Sequence, residues 1–359
     1  MLVLFKNKLN FQFEFVILFF DKLTQAGLNQ LPFFTALLFL DNDYLYYYKI
    51  LTLLYLFNTL GTLGLERTFA NNNINLIKTG KRIFKAKILM TIAFVIWSIC
   101  FIKLPPLELF FSSAIVLINV STFGEFLYVG GHIKKPLIIT KLIIVILGII
   151  LRFLLRDITF YIVLLFLESL IYLIAMLQLI KSHDQEKEIS INNIQYLYST
   201  AFMLITFLVT KLYVFGVNSS TQIDIKFIHY FDYLPFISSF IGSLILKKYP
   251  GFKLSDIKNK IFFSSLILFL IAILFHTNNA YYISAKILSA LNVFVVYIFF
   301  AKLDIKSALI LNLPSLIIML IFISLSYSYH LNIFQFMLIA EFSVGLFLLL
   351  KQKQKWSFS

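Results

Sequence analysis

Six ionisable residues sit inside long apolar stretches of this chain. Lys49, Arg152, Lys211 and Lys286 are cations, and Glu168 and Glu341 are acids. A charge near the centre of a bilayer costs about 2.5–3.5 kcal/mol on insertion scales. One that persists there pairs, snorkels or faces a wet cavity. The four cations lie toward the predicted outer half of their spans, against the cytoplasmic bias of basic residues. A cationic lining for an anionic ligand accounts for them; snorkelling to the outer interface is the alternative. The two acids are deeper, near mid-span. They are candidates for ion coupling, or else buried neutral acids hydrogen-bonded to a neighbouring helix. Glu125 and Lys141, near the inner ends of the fourth and fifth spans, are placed to pair with each other.

Uncharged polar residues add a second pattern. Gln25, Asn29, Gln30 and Thr35 crowd the first span, with Thr24 beside them and Pro32 kinking the segment. Side chains of this kind in a membrane must face a cavity or other helices. The seventh span carries Ser199, Thr200, Thr206 and Thr210. Were the two halves of the chain repeats, the first and seventh spans would occupy equivalent places and line a central cleft.

Catalytic and nucleotide signatures are missing. The sequence has no G-x-x-x-x-G-K-[ST], no G-x-S-x-G and no H-E-x-x-H. Its five histidines lie in predicted loops or at span edges, and none pairs at helical spacing with a carboxylate. Cys100 stands alone in an apolar stretch, which rules out an intrachain disulfide and a cysteine-rich metal site. No cofactor and no metal is expected, and the reading is of a transporter rather than an enzyme.

The elements that must position these residues are read from hydropathy. Sixty per cent of residues are hydrophobic, 13% are charged, and mean hydropathy is +0.90. A soluble domain has about a quarter of its residues charged. The pattern predicts an all-α polytopic membrane protein with twelve transmembrane helices. The spans run over 23–40, 44–65, 87–103, 107–129, 137–155, 159–180, 195–216, 228–246, 260–276, 281–301, 306–326 and 332–350. The first could begin nearer Phe13.

Net charge is +14. In a soluble protein that would raise nucleic-acid binding, but here the basic residues flank apolar spans, where insertion and anionic headgroups explain them. They fall in every second connector. Lys78, Lys81, Arg82, Lys85 and Lys87 precede the third span, and Lys247, Lys248, Lys253 and Lys258 precede the ninth. The opposite side holds only Lys103, Arg152, Arg156 and Lys226. This rhythm places both termini in the cytoplasm. Lys6 and Lys8 are not followed by an A-x-A-like cleavage site.

Residues 181–194, KSHDQEKEISINNI, are the one strongly mixed-charge run. Falling after six spans and before six more, they read as a cytoplasmic linker between an N-terminal lobe (1–180) and a C-terminal lobe (195–359), or else as an ordinary loop. Glu168 and Glu341 each sit nine residues into the last span of a half, as parallel repeats would place them. The outer connectors, Asp41–Asp43 and His276–Ala280 among them, leave no room for a folded external domain.

The run DNDYLYYYKI followed by LTLLYLFNTLGTLGLERTFANN resembles the N-terminal signature of bacterial O-antigen and capsule flippases, in the multidrug/oligosaccharidyl-lipid/polysaccharide exporter superfamily. Tyr44, Tyr47 and Tyr48 fall on its tyrosine element; the glycine usual before the second tyrosine is absent. Gly64, Leu65, Glu66 and Arg67 fall on its helix exit. The local match covers roughly residues 23–72, and the rest of the likeness is topology. The resemblance implies two six-helix lobes around a central cavity in the bacterial inner membrane. It implies alternating-access transfer of an undecaprenyl-diphosphate-linked oligosaccharide to the periplasmic leaflet, beside a polysaccharide polymerase and a chain-length regulator. Lys49, Arg152, Lys211 and Lys286 would then offset the diphosphate, and Gln25, Asn29, Gln30 and Thr35 would meet sugar hydroxyls. Ion gradients, coupled through Glu168 and Glu341, or consumption of the product outside would supply the energy. The alternative is an integral-membrane O-antigen polymerase, which would share composition and helix count but usually carries a long periplasmic loop.

Overall fold

The computed structural model describes residues 31–40, 43–62, 76–120, 135–181, 258–301, 305–326 and 332–350, with single positions within 16–28, 197–205 and 231–242. Everything described is helix or a short connector. The helices are α1 (31–39), α2 (Tyr44–Thr62), α3 (Leu76–Trp97), α4 (Pro106–Ile118), α5 (Lys135–Leu154), α6 (Ile158–Lys181), α7 (Lys258–Phe275), α8 (Asn278–Ala301), α9 (Ile305–Ser326) and α10 (Ile333–Leu350). A π-helical turn, Ser98–Ile102, extends α3. Among the described residues, five helical stretches are long and apolar enough to cross a membrane: Ile77–Ile102, Leu137–Leu154, Ile158–Gln178, Asn278–Val296 and Ile333–Leu350. The protein is an all-helical, multi-pass membrane protein.

Contacts divide the chain into two units, Met1–Asn192 and Asn193–Ser359. In the first, α2, α3 and α4 pack on one another, α4 packs on α6, and α6 on α5. In the second, α10 packs on α7, α8 and α9. Its centre includes Ile205, Met319, Phe322 and Ala340. Lipid is as apolar as leucine, so helices here associate through close packing and interhelical hydrogen bonds rather than through a hydrophobic drive. Gly61 illustrates the closeness: a Cβ there would lie 3.0 Å from Cγ of Lys87, drawing α2 against α3.

Most predicted spans agree with helices to within a few residues. Three differences have physical causes. The third span was expected from 87, but the helix starts at Leu76, because the basic run Lys78–Lys87 is itself helical. It ends at Lys103, whose left-handed backbone (φ 56°) lets its N–H bond to the Ser98 carbonyl across a π turn. The fourth span was expected to continue to 129, but α4 stops at Ile118. Asn119 is extended (ψ 113°), the β-branched Val120 after it is a poor helix former, and residues 121–129 lie outside the described residues. Helical backbone at Phe20 and Asp21 also lies upstream of residue 23, where the first span was drawn, in keeping with its earlier start. The 181–194 run and much of spans seven and eight lie outside the described residues.

Candidate functional site

Helix α5 presents one buried stripe: Leu137, Lys141, Ile144, Gly148 and Arg152, spaced three or four residues apart. The rest of its surface is exposed Ile, Leu and Phe, as suits a helix against lipid. Two cations thus occupy the face that would ordinarily be apolar. Each meets an acid on another segment of the first unit.

At one end of the stripe, the Arg152 guanidinium grips Glu168 of α6 with two parallel hydrogen bonds, from Nη1 to Oε1 at 2.6 Å and from Nη2 to Oε2 at 2.7 Å. This fork-to-fork geometry is the strongest form of ion pair. Arg152 is wholly inaccessible, and Glu168 nearly so. Gly148, one turn before Arg152, leaves the space the carboxylate fills. The Tyr161 ring lies 5.8 Å from the guanidinium, and its hydroxyl donates to the Arg152 carbonyl at 3.1 Å. Tyr47 of α2 meets Tyr161 edge to face, centroids 5.5 Å apart. The tyrosines of the flippase-like signature, Tyr44, Tyr47 and Tyr48, are all buried. Tyr47 ties that segment to the ion pair.

At the other end, Lys141 donates to Asp21 at 2.6 Å, with neither side chain exposed. Lys141, expected to pair with Glu125, thus has an acid of the first span as a partner. Asp21 belongs to the first span rather than to its flank, and that puts it level with Lys141. Glu125 lies outside the described residues.

A third polar centre joins α2, α3 and α4. Lys87, expected among the inner loop cations, is buried in mid-helix. Its ammonium donates to Asn58 Oδ1, to the Val116 carbonyl at 3.1 Å and to the Asn119 carbonyl at 2.6 Å. The last two are carbonyls at the C-terminal end of α4, where a helix favours a cation. Beside this centre lies a cavity of about 50 Å³, lined by Pro32, Leu51, Asn58, Ile115, Asn119 and Leu165 among others. Pro32 has no N–H for the Leu28 carbonyl one turn earlier, and Leu28 also lines the cavity.

In the second unit, Glu341 of α10 receives the Asn292 amide of α8, at 2.6 Å on Oε2 and 3.0 Å on its backbone carbonyl. Ser289 and Lys286 lie one and about two turns before Asn292 on α8, and both are buried. The Lys286 ammonium sits 5.3 Å from the Tyr282 ring centre. Ser315 of α9 donates to the Ala340 carbonyl at 2.9 Å, so α8, α9 and α10 are stitched at one level.

The predicted site residues are thus distributed. Arg152 and Glu168 come together, whereas the side-chain partner of Glu341 is Asn292, with Lys286 buried on the same helix as that asparagine. Lys49 is half-buried on α2. Thr35 is buried, but its hydroxyl donates to the Leu31 carbonyl of its own helix at 2.7 Å. Gln25, Asn29, Gln30 and Lys211 lie outside the described residues. Sequence reasoning missed Asp21, Lys87, Gly148 and Asn292. A glycine four residues before an intramembrane arginine, and an asparagine in mid-span, were the available signals.

The fold and these centres define a polytopic helical membrane protein whose units are locked by buried polar pairs. No family model, no curated protein and no solved structure matches the chain.

Proposed function

We propose that the protein is a flippase, moving an undecaprenyl-diphosphate-linked oligosaccharide, an O-antigen or capsule repeat unit, across the bacterial inner membrane by alternating access. In this reading twelve helices form two six-helix lobes around a central cavity, joined by residues 181–194, with both termini cytoplasmic. The observation that carries it is the parallel between Glu168 and Glu341. Each is buried within a membrane-spanning helix, one in each unit, and each is held by a side chain from a neighbouring helix of its own unit. A passive anchor has no need of such groups, which cost free energy to insert. Two internally locked bodies are what rocking around a fixed site requires.

The diphosphate cannot cross hydrocarbon unaided. Lys49, Lys211 and Lys286 are the cations proposed to meet it. Arg152 already faces the carboxylate of Glu168, and its role is to hold α5 to α6. A lateral opening would leave the polyprenyl tail in lipid. A polysaccharide polymerase and a chain-length regulator would act on the product outside.

Deletion of the gene tests this. The flippase reading expects the lipid-linked repeat unit to accumulate in the cytoplasmic leaflet, out of reach of an external galactose- or amine-directed probe. Accumulation of single repeat units in the periplasmic leaflet would instead identify the polymerase.

A further inference from the structure

The start of α3 carries Lys78, Lys81, Arg82 and Lys85, spaced three and four residues apart, so all four fall on one face. The three lysines are exposed. Ile77, Phe84 and Ile88 are also exposed, at 50%, 53% and 41%, and they border the basic face along one side. The opposite face, Thr79, Ile83 and Lys87, is buried against the protein.

Length fixes the depth of this stripe. Ile77–Ile102 spans 26 residues, about 39 Å at 1.5 Å per residue. The hydrocarbon core is about 30 Å thick. About two turns must therefore project beyond it. Counted back from Ile102, about twenty residues fill the core, so the projecting end is the basic one, with Lys78, Lys81 and Arg82 at headgroup level and Lys85 at the edge of the core, within snorkelling reach of it.

We propose that this face of α3 is a binding stripe for anionic phospholipid headgroups of the membrane leaflet it enters. Charge selects a phosphate-bearing partner. The bordering Ile77, Phe84 and Ile88 select one that also carries acyl chains, which separates a lipid from a soluble phosphate or a nucleic acid. The inference is independent of the transported substrate.

The test uses the full chain reconstituted in phosphatidylcholine vesicles with a minor fraction of phosphatidylglycerol. Spin-labelled phosphatidylglycerol and phosphatidylcholine report how much of each lipid the protein immobilises. The wild type is expected to favour phosphatidylglycerol, and the preference to fall with added salt. Lys78→Gln, Lys81→Gln and Lys85→Gln should each weaken it, by about fivefold where the lysine contacts a headgroup. The triple variant should abolish it. Replacing Lys260 and Lys306, exposed lysines on other helices, should leave it in place. The proposal is overturned if the triple variant keeps the preference, if the Lys260 and Lys306 variant loses it equally, or if millimolar inorganic phosphate displaces the lipid.

Discussion

Gly148 of α5 faces the Glu168 carboxylate so closely that a β-carbon at 148 would stand 2.3 Å from Oε1, and 2.9 Å from Nη1 of Arg152. The salt bridge exists because one residue on the helix face has no side chain. Gly148→Ala should therefore break or displace the pair. Overpacking of this kind costs about 1–3 kcal/mol. Thermal unfolding of the purified protein in detergent should show the loss, and Gly80→Ala, where a β-carbon meets nothing within 4 Å, should show none. Equal stability of the two variants would mean that α5 and α6 do not meet in this way.

The same pair predicts an asymmetry between single and double replacements. Glu168→Leu leaves the Arg152 guanidinium buried without its carboxylate, and removing one partner of a buried pair costs about 3–5 kcal/mol. Arg152→Met together with Glu168→Leu removes both charges, and such replacements are often neutral or stabilising. The double variant should thus be more stable than Glu168→Leu alone. If it is less stable, the two residues act separately.

This pair also marks how far the sequence could be read. The helices were legible because twenty-residue apolar runs have few alternatives in a chain of this composition. Arg152 and Glu168 were legible as exceptional, since a charge inside such a run stands out. Their partnership was not. The spacing of Lys141, Gly148 and Arg152 marks one face of α5, but which helix that face meets, and at what height Glu168 of α6 stands against it, is set by tertiary packing that hydropathy does not carry. Lys87 was misassigned for a related reason. A lysine at the end of a basic run looks like the last loop cation, whereas the run is helical and turns this one residue inward, onto the face away from its basic neighbours.

Lys87 should therefore behave as a structural residue, unlike the lysines around it. Lys87→Met leaves the Asn58 side-chain oxygen and two carbonyls without their donor. An unsatisfied buried polar group costs about 1–3 kcal/mol. Lys85→Met, on the exposed side of the same helix, should stay near wild-type stability. Denaturation in detergent compares the two directly, and a larger loss from Lys85→Met would contradict the placement of Lys87 among α2, α3 and α4.

In the second unit, Asn292 and Glu341 should prove coupled. The amide reaches both the carboxyl and the backbone carbonyl of Glu341, so Asn292→Leu removes two interhelical bonds at once. Interhelical hydrogen bonds in membranes average about 0.6 kcal/mol and reach about 1.7. A cycle with Glu341→Gln, whose amide can still accept, should return a coupling energy of about 0.5 kcal/mol or more. Additive losses would leave the two helices joined by packing alone.

The last prediction concerns orientation, which follows from the course of α3. This helix begins with the stripe Lys78, Lys81 and Lys85 and reaches the opposite surface at Lys103, an exposed residue with its left-handed backbone just past the π turn. The excess of basic residues belongs to the cytoplasmic side, so the proposed orientation puts Lys103 and the Arg156 end of α5 outside. The same orientation puts the 181–194 run, which follows α6, inside. In a Cys100→Ser background, a cysteine at 103 should react with a membrane-impermeant thiol reagent in intact cells, and one at 190 should react only after the membrane is opened. Reaction of both in intact cells would remove one crossing between them, and the reverse pattern would turn the protein over. Either result would leave the basic face of α3 on the wrong side of the membrane, or α6 short of a full passage, and with it the equivalence of Glu168 and Glu341.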